Sequence, residues 1–265
     1  MAKNTRNDII IGTEGNDDLY GTSGNDIIFG LGGHDVIVAL GGHDFVYAGA
    51  GNDYVTAGIG NDTIYGGDGN DILWGDEDND FVYGDEGKDS IFGGKGVDIL
   101  HGGKGDDFVH AGIGAGAGSL YDNDYVYGDE GNDLLYGDHG RDYLHGGADN
   151  DTLNGQEGAD TIIGGSGQDN MIGGDGADIF RFFNGDGYDV IVDFTVNVDK
   201  IDLSHTNVTS MEDLWFDPAG SDLYLGWNSG TLTTNAIKLE DVSFEDLDAD
   251  DFIFSQVAQL EDEVF

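Results

Sequence analysis

The sequence predicts an all-β fold: a right-handed parallel β-roll, or solenoid, built from two facing sheets and followed by a small β-rich cap. Three observations predict it. A nine-residue unit, Gly-Gly-x-Gly-x-Asp-x-U-x with U a large apolar residue, recurs almost without a break from the first dozen residues to about residue 181. Its sixth position is nearly always aspartate, and its eighth position is nearly always apolar. A short motif does not recur by chance over such a length, so the repeat determines the fold.

Aspartate holds the sixth position of the unit in two runs. Residues 111–118 separate the runs, because they form an eight-residue unit without an aspartate. The sixth-position aspartates are Asp8, Asp17, Asp26, Asp35, Asp44, Asp53, Asp62, Asp71, Asp80, Asp89, Asp98, Asp107, Asp124, Asp133, Asp142, Asp151, Asp160, Asp169 and Asp178. The predicted regions are a first roll block, an irregular repeat, a second roll block and a cap, at residues 1–110, 111–118, 119–192 and 193–265.

Each unit divides into a turn and a short strand. Glycines at the first, second and fourth positions permit the positive φ angles that tight turns require. The last three residues are rich in β-branched and aromatic types, and strand alternation puts position eight on one face and positions seven and nine on the other. We expect the core to consist of the position-eight residues Leu19, Ile28, Ile37, Val46, Val55, Ile64, Leu73, Val82, Ile91, Leu100, Val109, Val126, Leu135, Leu144, Leu153, Ile162, Met171 and Phe180.

The spacing of the aspartates predicts metal binding. Because two units make one coil, each aspartate lies beside that of the unit after next, about one strand spacing of 4.8 Å away. Carboxylates this close repel each other, and a hard dication held by them and by turn carbonyls removes the repulsion. Calcium accepts such ligands, and the pairing allows at most about fifteen ions. The formal charge is −45, so we expect the metal-free chain to be largely disordered.

Over residues 7–192 the chain resembles the RTX (repeats-in-toxin) family, whose nonapeptides build a calcium-loaded parallel β-roll. The resemblance includes a degenerate last unit from Gly187 to Val192. Asp78 and Asp149 replace the glycine of the fourth position, where aspartate tolerates left-handed backbone better than most residues. The resemblance implies that the sixth-position aspartates are calcium ligands.

After the repeats, the chain resembles the carboxy-terminal cap of serralysin-type secreted proteases. The matching stretches are 187–194, 198–204, 237–244 and 247–254. In that family the cap closes the roll, and the chain end is an uncleaved signal for a type I exporter. The resemblance therefore implies a secreted, extracellular protein whose signal is the tail after Phe254. Sites tuned to extracellular calcium, with dissociation constants of about 10⁻⁴ to 10⁻³ M, would stay empty in the cytosol. We therefore expect folding to follow export.

Composition excludes several classes of function and site. The 54 acidic and 9 basic residues give a charge that repels nucleic acid and anionic membranes. The chain has no cysteine, which excludes disulfides and thiolate metal sites. The first eight residues lack the apolar stretch of a standard secretory signal, and no run is long enough to span a bilayer. His34 and His43 lie at outward fifth positions and are interpreted as surface residues.

The sequence does not indicate an enzyme. The repeats begin within ten residues of Met1, so we expect no catalytic domain before them. A His-Glu-x-x-His zinc motif, a Gly-x-Ser-x-Gly nucleophile elbow and a phosphate loop are all absent. We expect a secreted calcium-binding protein. One alternative is a stand-alone or detached roll module of an extracellular enzyme, alginate-epimerase-like or protease-like, that binds polysaccharide. Another is a host-membrane-active effector made only of repeats.

The outer face formed by alternate units is unusually apolar. Its ninth positions are Phe29, Tyr47, Tyr65, Tyr83 and His101, and its seventh positions are Ile27, Phe45, Thr63, Phe81 and Ile99. If uncovered, such a patch exceeds what monomers usually expose. Three interpretations are open: β-propensity with stacking between coils, self-association, and carbohydrate binding. The eight-residue unit also allows the two blocks to fold against each other and bury this face.

Overall fold

The computed structural model describes residues 6–112, 122–227 and 235–256. Within these ranges the chain winds into a parallel solenoid of about ten turns, and each turn contributes one strand to each of two sheets. The predicted all-β parallel roll with two sheets is therefore confirmed. Among the described residues, no helix is long and apolar enough to cross a membrane.

The first block of the roll is made of short strands. Each unit supplies three strand residues, and in many coils the first residues of the next turn extend the strand. The strands in residues 6–112 are β1 (Ile9–Ile11), β2 (Asp18–Tyr20), β3 (Ile27–Gly32), β4 (Val36–Val38), β5 (Phe45–Ala50), β6 (Tyr54–Ile59), β7 (Thr63–Asp68), β8 (Ile72–Glu77), β9 (Phe81–Glu86), β10 (Ser90–Lys95), β11 (Ile99–Lys104) and β12 (Phe108–His110).

The second block repeats the same design. Its strands are β13 (Tyr125–Glu130), β14 (Leu134–Tyr136), β15 (His139–Gly140), β16 (Tyr143–Ala148), β17 (Thr152–Gly158), β18 (Thr161–Ser166), β19 (Asn170–Gly176), β20 (Ile179–Phe183) and β21 (Gly187–Ile191). The cap that follows contains, in chain order, β22 (Lys200–His205), 3₁₀ helix η1 (Met211–Asp213), β23 (Leu214–Ala219), β24 (Asp222–Trp227), β25 (Asn235–Leu239), η2 (Phe244–Asp246), η3 (Ala249–Asp251) and β26 (Phe252–Ile253).

Strands alternate between the two sheets, as two-unit coils require. Among the described residues, the first sheet has the order β1-β3-β5-β7-β9-β11-β13-β16-β18-β20-β22-β26. The second has the order β2-β4-β6-β8-β10-β12-β14-β17-β19-β21-β25-β24-β23, and β15 also pairs with β17. The cap continues both sheets, because β22 and β26 extend the first in parallel and β25 extends the second. The antiparallel strands β24 and β23 complete the far edge of the second sheet.

The stack runs without interruption past the irregular repeat. Ile99 in β11 pairs with Tyr125 in β13, as Phe81 in β9 pairs with Ile99. Equivalent residues are 26 apart across the irregular repeat and 18 apart in the regular coils on either side of it. The two blocks therefore form one continuous stack, and the idea that they fold against each other is wrong. Residues 113–118, most of the irregular repeat, lie outside the described residues.

The core is a single row of position-eight side chains between the sheets. From Ile28 to Phe180, each of these side chains is fully buried. Leu19, near the amino end of the stack, is only partly buried. The row continues through Ile191 and Ile201 into the cap. The predicted position-eight residues are therefore part of the observed core, which also includes Ala39, Ala48, Ala57 and Ala111 of the roll and side chains of the cap. Each coil buries its two position-eight side chains against the coils before and after it.

In most coils the turns stack so closely that the glycine of position four has no room for a side chain. Gly51 has φ of 134°, and a Cβ added there would lie 1.5 Å from the carbonyl oxygen of Gly33 in the preceding coil. Asp78 and Asp149 do carry side chains at this position, with φ of 77° and 79°. They adopt the left-handed backbone conformation expected from the sequence.

Candidate metal centres

The sixth-position aspartates form two ladders, one along each edge of the roll. In each ladder, carboxylate Oδ1 accepts a hydrogen bond from the backbone N–H of the aspartate one coil earlier, at 2.6 to 3.1 Å. The structure thus brings together every predicted site aspartate in the expected order. Those from Asp26 to Asp178 are at most 4 % exposed, whereas Asp8 and Asp17 are half-buried.

Two further aspartates extend the ladders toward the cap. Asp189 accepts from the N–H of Asp169 at 3.1 Å, and Asp199 accepts from the N–H of Asp178 at 3.0 Å. Both are almost fully buried. The sequence assignment omitted them because their offsets are 20 and 21 residues. Asp189 could have been identified from the sequence, because it stands before Val190 and Ile191 in the degenerate last unit.

The second carboxylate oxygen, Oδ2, is buried and has no hydrogen-bond partner at many of these positions. Within the part of the chain that the structure describes, this holds for Asp35, Asp44, Asp53, Asp62, Asp71, Asp80, Asp89, Asp98, Asp107, Asp133, Asp142, Asp151, Asp160, Asp169 and Asp178. A buried carboxylate oxygen without a partner is strongly unfavourable. A row of them, all in the same place in the coil, indicates that the fold reserves these oxygens for a ligand.

Near the amino end, the turns of Asp17 and Asp26 satisfy Oδ2 from within the protein. The N–H of Thr13 donates to Oδ2 of Asp17 at 2.6 Å, and the N–H of Thr22 donates to Oδ2 of Asp26 at 2.6 Å. The Thr13 hydroxyl adds a second bond to Asp17 at 2.9 Å. These two aspartates are therefore satisfied by the protein itself.

Glycine at position one leaves a small space beside most of the free Oδ2 atoms, whereas alanine holds this position in the units of Asp44, Asp53 and Asp62. If Gly84 carried a Cβ, that atom would lie 2.4 Å from Asp89 Oδ2 and 2.4 Å from the carbonyl oxygen of Gly102. A carboxylate oxygen and a main-chain oxygen of the next coil therefore converge on one point. Calcium takes oxygen ligands at about 2.3–2.6 Å, mixing carboxylates and carbonyls, so these residues fit a calcium ion.

No group of three or more His, Cys, Asp or Glu side chains in the described ranges is arranged to hold a metal. This is consistent with the geometry of the ladders, where at most two carboxylates of a ladder meet at one place. The remaining ligands would have to be backbone carbonyls, which favour a hard cation over a transition metal.

Burial raises the pKa of many ladder carboxyls. The pKa of Asp80 rises to about 9, chiefly by burial, against the lowering effect of the Asp62 N–H. The pKa of Asp124 also rises to about 9 through burial, whereas that of Asp44, nearer the amino end, rises only to about 6. Burial makes the ionised form of these carboxyls unfavourable, and a bound cation would offset that cost. The interior carboxylates would therefore gain most from a metal.

The fifth positions form a second set of ladders that the sequence did not predict. The Asn52 side chain accepts from the backbone N–H of Asn70 at 3.1 Å, one coil later and so in the opposite direction to the aspartates. His34 and His43 replace asparagine in these ladders, and their Nδ1 atoms accept from the N–H of Asn52 and Asn61 at 2.6 and 2.8 Å. Both histidines are exposed, as expected, but they also link coils.

The predicted aromatic face exists on the first sheet. Strands β5, β7, β9 and β11 place Tyr47, Tyr65, Tyr83 and His101 in register, and Tyr127 of β13 continues the row. The Tyr65 and Tyr83 rings are parallel with centroids 4.9 Å apart, and His101 lies 5.0 Å from Tyr83 and 4.5 Å from Tyr127. In this part of the row the rings cover one another's faces, so mainly their edges meet solvent.

A family model described as "RTX calcium-binding nonapeptide repeat (4 copies)" matches residues 4–37, 29–64, 47–82, 56–91, 83–116, 120–153 and 145–180. A search of curated proteins gives no match.

Among solved structures, the chain is similar to two subunits of the Azotobacter vinelandii mannuronan C5-epimerase. The AlgE6R2 subunit is 29 % identical, with 50 % of this chain and 94 % of that chain covered and a TM-score of 0.42. The AlgE6R3 subunit is 24 % identical, with 61 % and 86 % covered and a TM-score of 0.35. The extracellular lipase LipA from Serratia marcescens is 20 % identical, with 73 % of this chain and 40 % of that chain covered and a TM-score of 0.32.

Proposed function

The chain belongs to the family of RTX calcium-binding nonapeptide repeat proteins, and we propose that it is a secreted, non-enzymatic protein whose roll folds when it binds extracellular calcium. The observation that carries this proposal is the row of fifteen buried Oδ2 atoms without a hydrogen-bond partner among the described residues. Each belongs to a ladder aspartate, and together they are the largest set of unsatisfied polar groups in the described roll.

The ladder aspartates and the turn carbonyls would hold the ions. Bound calcium would supply positive charge between coils and let the carboxylates stay ionised while buried. The protein's own contribution is positional. The hydrogen bond to Oδ1 fixes each carboxylate from Asp26 onward, the glycine at position one of most units leaves space, and the core side chains keep the coils in register. We propose at most about fifteen ions for the nineteen predicted aspartates.

Charge explains why folding would depend on the metal. The chain carries 54 acidic and 9 basic residues, and this imbalance opposes a compact state. Metal binding and folding are coupled wherever the site does not exist in the unfolded chain. At cytosolic calcium levels, sites with extracellular affinity stay empty, so the chain would pass a type I exporter unfolded. We propose that the signal for export lies after Phe254, and residues 257–265 of that tail lie outside the described residues.

Circular dichroism of the purified full chain tests the proposal. Millimolar calcium added to chelated protein should convert a disordered spectrum cooperatively into a β spectrum. Magnesium is the matched control and should act weakly, because it resists dehydration and demands a small regular octahedron. A spectrum that calcium leaves unchanged, or that magnesium changes equally, would overturn calcium-driven folding.

A further inference from the structure

Threonine holds position two of the repeat in the units of Asp17 and Asp26, near the amino end of the two ladders. The N–H of Thr13 donates to Asp17 Oδ2 at 2.6 Å, and its hydroxyl donates to the same oxygen at 2.9 Å. The N–H of Thr22 donates to Asp26 Oδ2 at 2.6 Å, while its hydroxyl donates to the Arg6 carbonyl at 2.7 Å. Each ladder thus has one turn near its amino end in which position two supplies a partner for the aspartate.

The backbone at these threonines differs from that of the regular turns. In every unit from residue 30 to residue 110, the residue at position two has a φ between 74° and 120°. Thr13 and Thr22 do not have a positive φ, and a β-branched residue adopts left-handed backbone only with strain. Threonine therefore keeps its turn in the conformation that directs the N–H to the aspartate.

The next coil shows the regular arrangement. Leu31 and Leu40 hold position two there, each with φ of 80°. The Oδ2 atoms of the aspartates in these units, Asp35 and Asp44, are buried and have no hydrogen-bond partner. The two turns of this coil thus leave free the oxygens that the threonine turns already bind.

A calcium ion at Asp17 would compete with the threonine for one oxygen. If Gly12 carried a Cβ, that atom would lie 2.8 Å from Asp17 Oδ2 and 2.7 Å from the Gly30 carbonyl oxygen. The oxygens of a site therefore converge here, as they do near Gly84. Two donors, however, already direct their positive hydrogen atoms at Oδ2, and a cation placed beside them would be repelled.

We propose that Thr13 and Thr22 take the place of calcium in the turns of Asp17 and Asp26, so that these turns bind no ion and cap the amino end of the roll. This inference rests on the proposed function. Terminal repeats of solenoids depart from the consensus because they cap the stack. Here the departure replaces the ion by hydrogen bonds within the chain, so the two turns need no metal to become ordered.

Equilibrium dialysis of the full chain against calcium tests the proposal. The double variant Thr13→Gly/Thr22→Gly restores the consensus residue at position two and should bind about two additional calcium ions per chain at saturation, one for each opened turn. The matched control is Leu31→Gly/Leu40→Gly, which makes the same change one coil later, beside aspartates whose Oδ2 is already free. The control should bind as many ions as the unmodified protein.

Amide hydrogen exchange of the calcium-saturated, unmodified protein is a second measurement that does not depend on a variant. The N–H groups of Thr13 and Thr22 should exchange slowly, because they still donate to their aspartates. Fast exchange of both groups would overturn the inference, as would an unchanged ion number in the threonine variant or an equal increase in the leucine control. If no form of the protein bound calcium, the proposed function would fail, and this inference with it.

Discussion

Oδ1 of Asp80 accepts a 2.8 Å hydrogen bond from the N–H of Asp62 in the coil before it, while Oδ2 of the same carboxylate has no partner among the described residues. One oxygen thus holds two coils in register, and the other is free for an ion. Because most interior rungs repeat this division, the loss of one such aspartate should affect both the spacing of the coils and metal binding.

We expect the effect of an aspartate substitution to depend on its place in the stack. Asp62→Ala removes an acceptor for the Asp44 N–H and a ligand shared by two neighbouring sites, and it should lower calcium affinity and cooperativity. Asp8→Ala, at the half-buried end of the same ladder, should lower them less. Calcium titration calorimetry of both variants measures this, and equal effects would contradict pairing of each aspartate with the one a coil away.

The stability of the metal-free roll should increase as pH falls. Burial raises the pKa of Asp80 to about 9 and that of Asp142 to about 8, from an ordinary value of 3.8. Protonation of such groups favours the folded state, and this stabilisation is complete below pH 3.8 and disappears as pH rises through 8 to 9. Calcium binds the ionised form of these carboxyls, so its apparent affinity should decrease as pH falls. Between about pH 9 and 5, the β signal of the chelated protein should grow as pH falls, whereas the urea midpoint of the calcium-loaded protein should decrease. Changes in the same direction would contradict this expectation.

Gly51→Ala should destabilise the roll severely. The new Cβ would lie 1.5 Å from the carbonyl oxygen of Gly33, on a backbone with φ of 134°. We expect a loss of about 3 kcal/mol or more in the free energy of unfolding with saturating calcium. Gly15→Ala is the control, because Gly15 has the same repeat position in the first coil and its Cβ would meet only Thr13 Oγ1 at 3.8 Å. Similar urea midpoints for the two variants would refute the close stacking of the turns.

Replacement of Tyr47, Tyr65 and Tyr83 by threonine tests the aromatic face. Because these rings lie in register and the last two stack at 4.9 Å, we expect a loss of about 0.2–1 kcal/mol for each cross-strand pair and an unchanged calcium dependence. Threonine retains β-propensity, and no ladder aspartate changes. If sedimentation instead showed that the unmodified protein associates and the variant does not, the face would be an interface between copies.

Removal of the residues after Phe254 should keep the protein inside the producing cell. The purified truncated chain should still gain a β spectrum with calcium, because the ladders and the core row end before this tail. Immunoblots of cells and medium, with the full chain as control, measure the distribution. Normal secretion of the truncated chain would show that the export signal lies elsewhere.

The sequence predicted the repeating parts of the structure and missed the parts where the period changes. An offset of 18 residues determines the core row, the register and the pairing of Asp62 with Asp80. Asp189 and Asp199 were not predicted as members of the ladders, because extra residues near the cap shift their offsets to 20 and 21. The stacking of Tyr83 on His101 depends on side-chain rotamers, which a pattern of residue types does not specify. The antiparallel pair β23 and β24 lies outside the repeat altogether.

The 26-residue offset between Asp98 and Asp124 shows that the roll tolerates extra chain between coils. Ile99 and Tyr125 still pair in the regular register, because the sheets fix where each strand lies. A turn of this scaffold is therefore a natural acceptor for foreign sequence. Evolution, or an engineer, could graft a recognition loop at this junction and vary it freely, as loops are diversified on other rigid frameworks.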